Sequence, residues 1–174
     1  DNDEDKNKRY LGTYFPRSFV ESFRIYEQIF KKKYIKKHYE AKEEIRILFI
    51  GSGTGGDLLG LLQSLNEVVE NKKIVIYSFD GNGLSLKCQE EILEKKDEYL
   101  PNKNNSIKLI TEKIVIEKLD DFNEIFCKSK YKNKMDIVQS FKFCNEIYRN
   151  ETNDNSQVYT KMMEVAEYCL NGSG

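Results

Sequence analysis

The stretch RILFIGSGTGGDLLGLL, residues 46–62, limits what this chain can fold into more than any other. A short and nearly all-apolar run, residues 45–50, has the length and composition of a strand buried on both faces. It meets four glycines in six positions, Gly51, Gly53, Gly55 and Gly56. Leu58, Leu59, Leu61, Leu62, Leu65, Val68 and Val69 then recur at helical spacing. A tight strand-to-helix turn is one reading, but it requires only one or two glycines. Four of them permit positive φ at several positions and let a ligand approach the backbone, with the N-terminus of the following helix aimed at it.

The rest of the chain supplies the setting. Phe19, Val20, Phe23, Tyr26, Ile29 and Phe30 recur at three and four, which predicts a helix over 15–30 with Pro16 in its first turn. KIVIYSF at 73–79 predicts a second strand, and 84–99 a helix closed by Pro101. SIKLITEKIVI contains a third strand, 120–130 a short helix, MDIVQSF a fourth strand and 156–170 a last helix. Strand and helix alternate four times. The fold class expected is therefore α/β, a doubly wound, mainly parallel sheet with right-handed crossovers and helices on both faces, preceded by a helical segment. The division expected is a helical segment or lid over 1–44 and a Rossmann-like domain over 45–174. In such sheets ligands sit beyond the carboxyl ends of the strands, near the switch point, which is where the glycines fall.

Composition narrows the function classes. With 174 residues the chain has material for one core. Its 28 Lys and Arg nearly cancel 29 Asp and Glu, which excludes a protein that coats nucleic acid by bulk charge. KKKYIKKHY at 31–39 is the one dense basic block. It reads either as the solvated face and end of a helix or as an RNA-facing strip of Lys31, Lys32, Lys33, Lys36 and Lys37. Cys88, Cys127, Cys144 and Cys169 lack the close pairs of metal or redox motifs, and each falls in a mostly apolar stretch, which predicts buried reduced thiols and no metal. His38 is the only histidine, so no mechanism built on a histidine pair fits one chain. No 18-residue apolar run and no signal-peptide pattern is present, which predicts a cytoplasmic chain without membrane contact.

Asp80 is the second landmark, directly after the second strand in YSFDGNGL. A carboxylate there can accept hydrogen bonds from the 2′- and 3′-hydroxyls of a ribose, because neighbouring parallel strands end side by side. Capping of the next helix is the alternative, and the two are compatible. Gly51, Gly53 and Gly56 also satisfy G-x-G-x-x-G, the dinucleotide fingerprint. Together the glycine turn and Asp80 specify an adenosine-type ligand, NAD or S-adenosylmethionine.

Three segments lean toward the second. IRILFIGSGTGGDLL, IVIYSFDGNGLSL and MDIVQSFKFCNEI occur in the order and approximate spacing of motif I, the acidic post-motif and the fourth-strand motif of class I S-adenosylmethionine-dependent methyltransferases, which residues 45–174 resemble. GTGGDLLGLL, LSLKCQEEI and MDIVQSFKFC are also similar to messenger-RNA cap guanine-N7 methyltransferases. The resemblance implies that Gly51, Ser52, Gly53, Thr54 and Gly55 lie against the methionine part of S-adenosylmethionine, and that Asp80, with Gly81 beside it, holds the ribose. It places Glu112 or Lys113 near the adenine, and Ser140, Phe141 and Phe143 beside the cofactor and the methyl-acceptor pocket. Asn145 and Glu146 are the catalytic candidates, as the polar groups nearest the acceptor. Tyr10, Tyr14 and Arg17 would close the site from above, with Arg17 pairing the cofactor carboxylate.

There are departures from the family pattern. An acid usually precedes the first glycine by two residues, where this chain has Phe49. The Asn-Pro-Pro-Tyr-like motif of enzymes that methylate amino groups of DNA bases is absent, so no DNA acceptor is expected. Where the cap enzymes carry a Gln and a His-aromatic pair, Phe141, Asn145 and Glu146 stand here. The function expected is methyl transfer from S-adenosylmethionine to a nucleophile, with RNA the favoured acceptor. The alternatives are a non-catalytic methyltransferase-like subunit or scaffold and, on the fingerprint and Asp80 alone, an NAD-binding oxidoreductase domain. EYCLNGSG at the end resembles the turn that leads into the fifth of the family's seven strands. Further strands, or another protein chain, are therefore expected to cover the free edge of the fourth.

Overall fold

In the first strand, β1 (Glu44–Ile50), successive side chains enter different hydrophobic clusters. Ile45, Ile47 and Phe49 join one, Leu48 and Ile50 the other, and all five are buried. Both faces of the strand are covered, which is why its sequence shows no polar alternation. This computed structural model describes residues 5, 8–100, 103–141, 143, 147 and 155–172. Around β1 it sets helices α1 (Phe15–Phe30), α2 (Lys33–Glu40), α3 (Gly56–Val68) and α4 (Gly83–Glu94), and strands β2 (Lys73–Asp80) and β3 (Ser106–Lys113). The short α5 (Asn123–Phe126), β4 (Ile137–Gln139) and α6 (Asn155–Cys169) follow.

The sheet has the order β3-β2-β1-β4, and every neighbouring pair is parallel. The chain steps outward from β1 to β2 and β3, then returns to the other side of β1, which puts the switch point between β1 and β4. The cluster on one face takes Phe30 of α1, Tyr39 of α2, Leu58, Leu61, Leu62 and Leu65 of α3 and Leu93 of α4. The opposite cluster takes Ile125 of α5 and Val158, Val165 and Cys169 of α6. This is the doubly wound α/β architecture that the alternation of strand and helix predicts. Beyond β4, on the side away from β1, Met135 forms a parallel bridge with Leu170. Its N–H donates to the Cys169 carbonyl at 2.8 Å, and its carbonyl accepts from Asn171 N at 2.9 Å.

Helices α1 and α3 run side by side in the same direction, and two glycines allow their approach. A Cβ on Gly56 would lie 2.4 Å from the Phe15 carbonyl oxygen, and one on Gly60 2.5 Å from that of Phe19. Two serines bridge the same seam. Ser22 Oγ donates to the Asp57 carbonyl at 2.7 Å, and Ser64 Oγ to the Phe23 carbonyl at 2.9 Å.

Several elements differ from expectation. The basic block is a helix of its own, because Lys32 adopts an extended backbone between α1 and α2 and lets Tyr39 fold back edge-on against Phe30 at 5.4 Å. α4 ends at Glu94 and continues only as a 3-10 turn at Lys96–Glu98, while Pro101 lies outside the described residues. Cys88 is half-buried and Cys169 buried, but Cys127, expected in the core, is exposed. The cause is that α5 ends one residue earlier, at Phe126, so Cys127 follows the inward-facing Ile125 and Phe126. Cys144 lies outside the described residues. Among the described residues no helix is long and apolar enough to cross a membrane.

Candidate functional site

The turn between β1 and α3 is built from three left-handed glycines, with φ of 65° at Gly51, 52° at Gly53 and 86° at Gly55. Side chains with a Cβ rarely hold that conformation, so glycine is required at each. The three have different surroundings. A Cβ on Gly51 would lie 2.2 Å from Cγ of Phe143, and one on Gly55 2.7 Å from Cγ of Gln89. At Gly53 it would meet nothing within 4 Å, so this is the open face of the turn.

Asp80 holds that turn to the end of β2. Its Oδ2 accepts from Gly53 N at 2.7 Å and its Oδ1 from Asn82 N at 2.8 Å, while the Asn82 side chain caps α4 by accepting from Leu84 N and Ser85 N. Helix capping thus falls to Asn82, which leaves Asp80 to the turn. Burial pushes the Asp80 carboxyl above the usual carboxylate range, and the two backbone N–H groups pull it partly back.

Beneath the turn lies a network that the sequence did not disclose. Ser52 N and Oγ both donate to the Phe79 carbonyl, at 3.1 and 3.2 Å. Ser78 Oγ lies 2.7 Å from Ser52 Oγ and 2.6 Å from Gln89 Oε1. Gln89 Nε2 donates to Ser52 Oγ at 2.8 Å and to the Gly53 carbonyl at 2.6 Å. On the β4 side, Gln139 faces Phe49 in register, and its Nε2 donates to Asp57 Oδ2 at 2.7 Å. Asp57 is wholly buried at the start of α3, and burial pushes its carboxyl up to about 6 against the hydrogen bond from Gln139. Gln139 Oε1 and Ser140 Oγ are buried polar atoms with no hydrogen-bond partner.

The structure thus brings together Gly51, Ser52, Gly53, Gly55 and Asp80, with Gly81 exposed next to Asp80. Ser140 and Phe141 are half-buried where the chain leaves β4. Other expected residues are engaged elsewhere. The Glu112 carboxylate is taken by Lys128, by Lys130 at 3.1 Å and by the Tyr131 hydroxyl at 2.5 Å. Burial opposes its charge, but these hydrogen bonds hold its carboxyl down to about 2. Arg17 pairs with Glu21 at 2.8 Å on the exposed side of α1, one turn from exposed Tyr14. Asn145 and Glu146 lie outside the described residues. Of the lysine strip, Lys31 and Lys32 form the link from α1 and Lys33, Lys36 and Lys37 lie on α2, next to the amino ends of the strands. Tyr39 there donates to the Asp136 carbonyl, and Lys72 donates to that of Glu40. Among the described residues no group of three or more His, Cys, Asp or Glu is placed to hold a metal ion.

No protein-family model matches this chain, and no curated protein matches it. Solved structures with a similar arrangement include an arsenic(III) S-adenosylmethionine methyltransferase from Chlamydomonas reinhardtii, at 16% identity and a TM-score of 0.45, over 75% of this chain and 36% of that one. A putative S-adenosyl-L-methionine-dependent methyltransferase from Methanococcus maripaludis is 13% identical at a TM-score of 0.47, over 98% of this chain and 58% of the other. The plantazolicin methyltransferase BpumL in complex with SAH is 11% identical at 0.39, over 97% and 70%. The chain therefore spans well under two thirds of the first two. At such scores the fold assignment rests on the strand order and register of the sheet itself.

Proposed function

We propose that the turn at Gly53 and the Asp80 carboxylate hold the adenosyl part of S-adenosylmethionine, and that the chain carries a methyl-transfer site. The supporting observation is that two separate strands bring an open, left-handed glycine and a half-buried carboxylate into direct contact at the carboxyl edge of the sheet. A carboxylate has about four acceptor positions, and backbone N–H groups occupy two of those on Asp80, so acceptors remain for two ribose hydroxyls. The unpartnered Ser140 Oγ, next to the switch point, also fits a polar ligand group. When bound, S-adenosylmethionine supplies an electrophilic methyl group. The part of this chain is to bind and orient it.

NAD is the competing ligand. The third glycine of the dinucleotide spacing, Gly56, accommodates the Phe15 carbonyl of α1 and so serves packing, as the third glycine of the dinucleotide fingerprint also does, which leaves the choice between the two ligands to binding. Titration calorimetry with S-adenosylmethionine, S-adenosylhomocysteine and NAD tests the proposal. The first two are expected to bind, and Asp80→Asn to weaken them about tenfold or more, as for a hydrogen bond to a charged group. Binding of NAD alone, or unchanged affinity in Asp80→Asn, would contradict it.

A second reading draws on Phe49, which is fully buried in the cluster shared by α1 and α3 and offers no polar group at the methionine end. It makes the chain a subunit that binds the cofactor without turning it over. Labelled S-adenosylmethionine incubated with RNA and peptide fractions separates the two, since methyl incorporation excludes the non-catalytic subunit. Contact with RNA is part of the proposal through exposed Lys32, which precedes α2, and Lys33 and Lys37 on it. Because β1 lies between α2 and the turn, such an RNA would span roughly 20 Å at 3.3 Å per strand residue. Triple Lys→Glu substitution is expected to abolish salt-dependent RNA binding. RNA binding that survives the substitution removes this part.

A further inference from the structure

Gln89 lies on α4 about two turns beyond the Asn82 cap, and only 1% of it is exposed. Its side-chain amide uses both ends. Nε2 donates to the Gly53 carbonyl and to Ser52 Oγ, and Oε1 accepts from Ser78 Oγ. Since Asp80 takes the Gly53 N–H, both polar backbone groups of Gly53 are engaged by side chains of the fold. The Gln89 stem adds a steric limit, because it leaves no room for a Cβ on Gly55. None of these contacts touches the open face of Gly53.

We propose that Gln89 is a positioning residue for the ligand of this turn: it fixes Gly53 and Ser52 in their binding geometry before the ligand arrives, and thereby sets the affinity for an adenosyl ligand. The proposal rests on the reading of the turn as an adenosyl site. Without the amide, the half-buried Gly53 carbonyl loses its side-chain donor and Ser52 Oγ keeps only the Phe79 carbonyl and Ser78 Oγ, so the turn relaxes to find another donor for Gly53. A ligand then binds in proportion to the fraction of molecules that still hold the competent turn. If that fraction falls to about a tenth, the dissociation constant rises about tenfold.

Gln89→Leu and Gln89→Glu distinguish this role from space filling. Leu keeps an apolar stem without a donor. Glu keeps the shape but sets a carboxylate against the Gly53 carbonyl, and regains one O–H donor when protonated. Three measurements apply to each variant and the wild type: titration with S-adenosylhomocysteine, amide hydrogen exchange over residues 46–62 without ligand, and the urea midpoint. Both variants are expected to bind about tenfold or more weakly near pH 7.5 and to exchange faster at the turn than elsewhere. Toward pH 5.5 the Glu variant is expected to recover affinity relative to the wild type at the same pH, while the Leu variant does not. Wild-type affinity in Gln89→Leu, or a loss that follows the urea midpoint while turn exchange is unchanged, overturns the proposal. If the wild type binds no S-adenosylhomocysteine, the adenosyl reading and the effect on affinity both fall, and the exchange data decide separately whether Gln89 clamps the turn.

Discussion

Asp57 carries a cost that the fold accepts in order to tie α3 to β4. Burial pushes its carboxyl up to about 6 in the folded chain, from 3.8 for an ordinary aspartate, and the groups that act on it or feel it are the Gln139 amide, the Asp80 carboxylate and the Tyr26 hydroxyl. The folded state therefore binds the proton more tightly than the unfolded state. Stability from this group is fully present below pH 3.8 and is lost as the pH rises to about 6, by on the order of 3 kcal/mol. Urea midpoints measured from pH 4 to 8 are expected to show that decline, and Asp57→Asn to flatten it. An identical decline in Asp57→Asn would assign it to other groups. Asp80 and the three left-handed glycines were legible in the sequence, because each follows a strand and has a strong local signature. Gln89, Ser78 and the Asp57–Gln139 pair were not. A glutamine between Cys88 and Glu90 looks like the wet side of a helix, and its partners Gly53 and Ser52 lie 36 and 37 residues away.

Between elements, the glycines of the β1–α3 turn and of α3 itself divide into two uses that the sequence runs together. Gly51, Gly53 and Gly55 serve the turn, whereas Gly56 and Gly60 serve the seam with α1. Gly60→Ala places a methyl group against backbone atoms of Phe19 and Phe23, which cannot yield as a side chain would. It is expected to cost about 1–3 kcal/mol of stability and to raise exchange in α1. Gly83→Ala, in the first turn of α4 with open space around it, is expected to be neutral or to stabilise by up to about 1 kcal/mol. Equal losses from the two, read as urea midpoints, would contradict this division. The 3.6-residue pattern of α1 was strong enough to give its bounds from sequence. The break at Lys32 was invisible because lysines suit a helix and a loop equally. β4 is shorter than its apolar run suggested, since only three residues reach β1 in register.

At the scale of the molecule, a sheet covered on both faces directs the open, left-handed turn at Gly53 to the carboxyl ends of β1 and β2, while the lysines of α2 stand at the amino ends. The account's central claim is that the ligand is adenosyl and lies over Gly53. Titration of isotope-labelled protein with S-adenosylhomocysteine, followed by amide chemical shifts, tests this most directly. Saturable shifts at Gly53, Gly55 and Asn82, with residues of α2 unmoved, are the predicted result. No shifts at saturating ligand, or shifts that leave Gly53 and Asn82 unmoved, would contradict it.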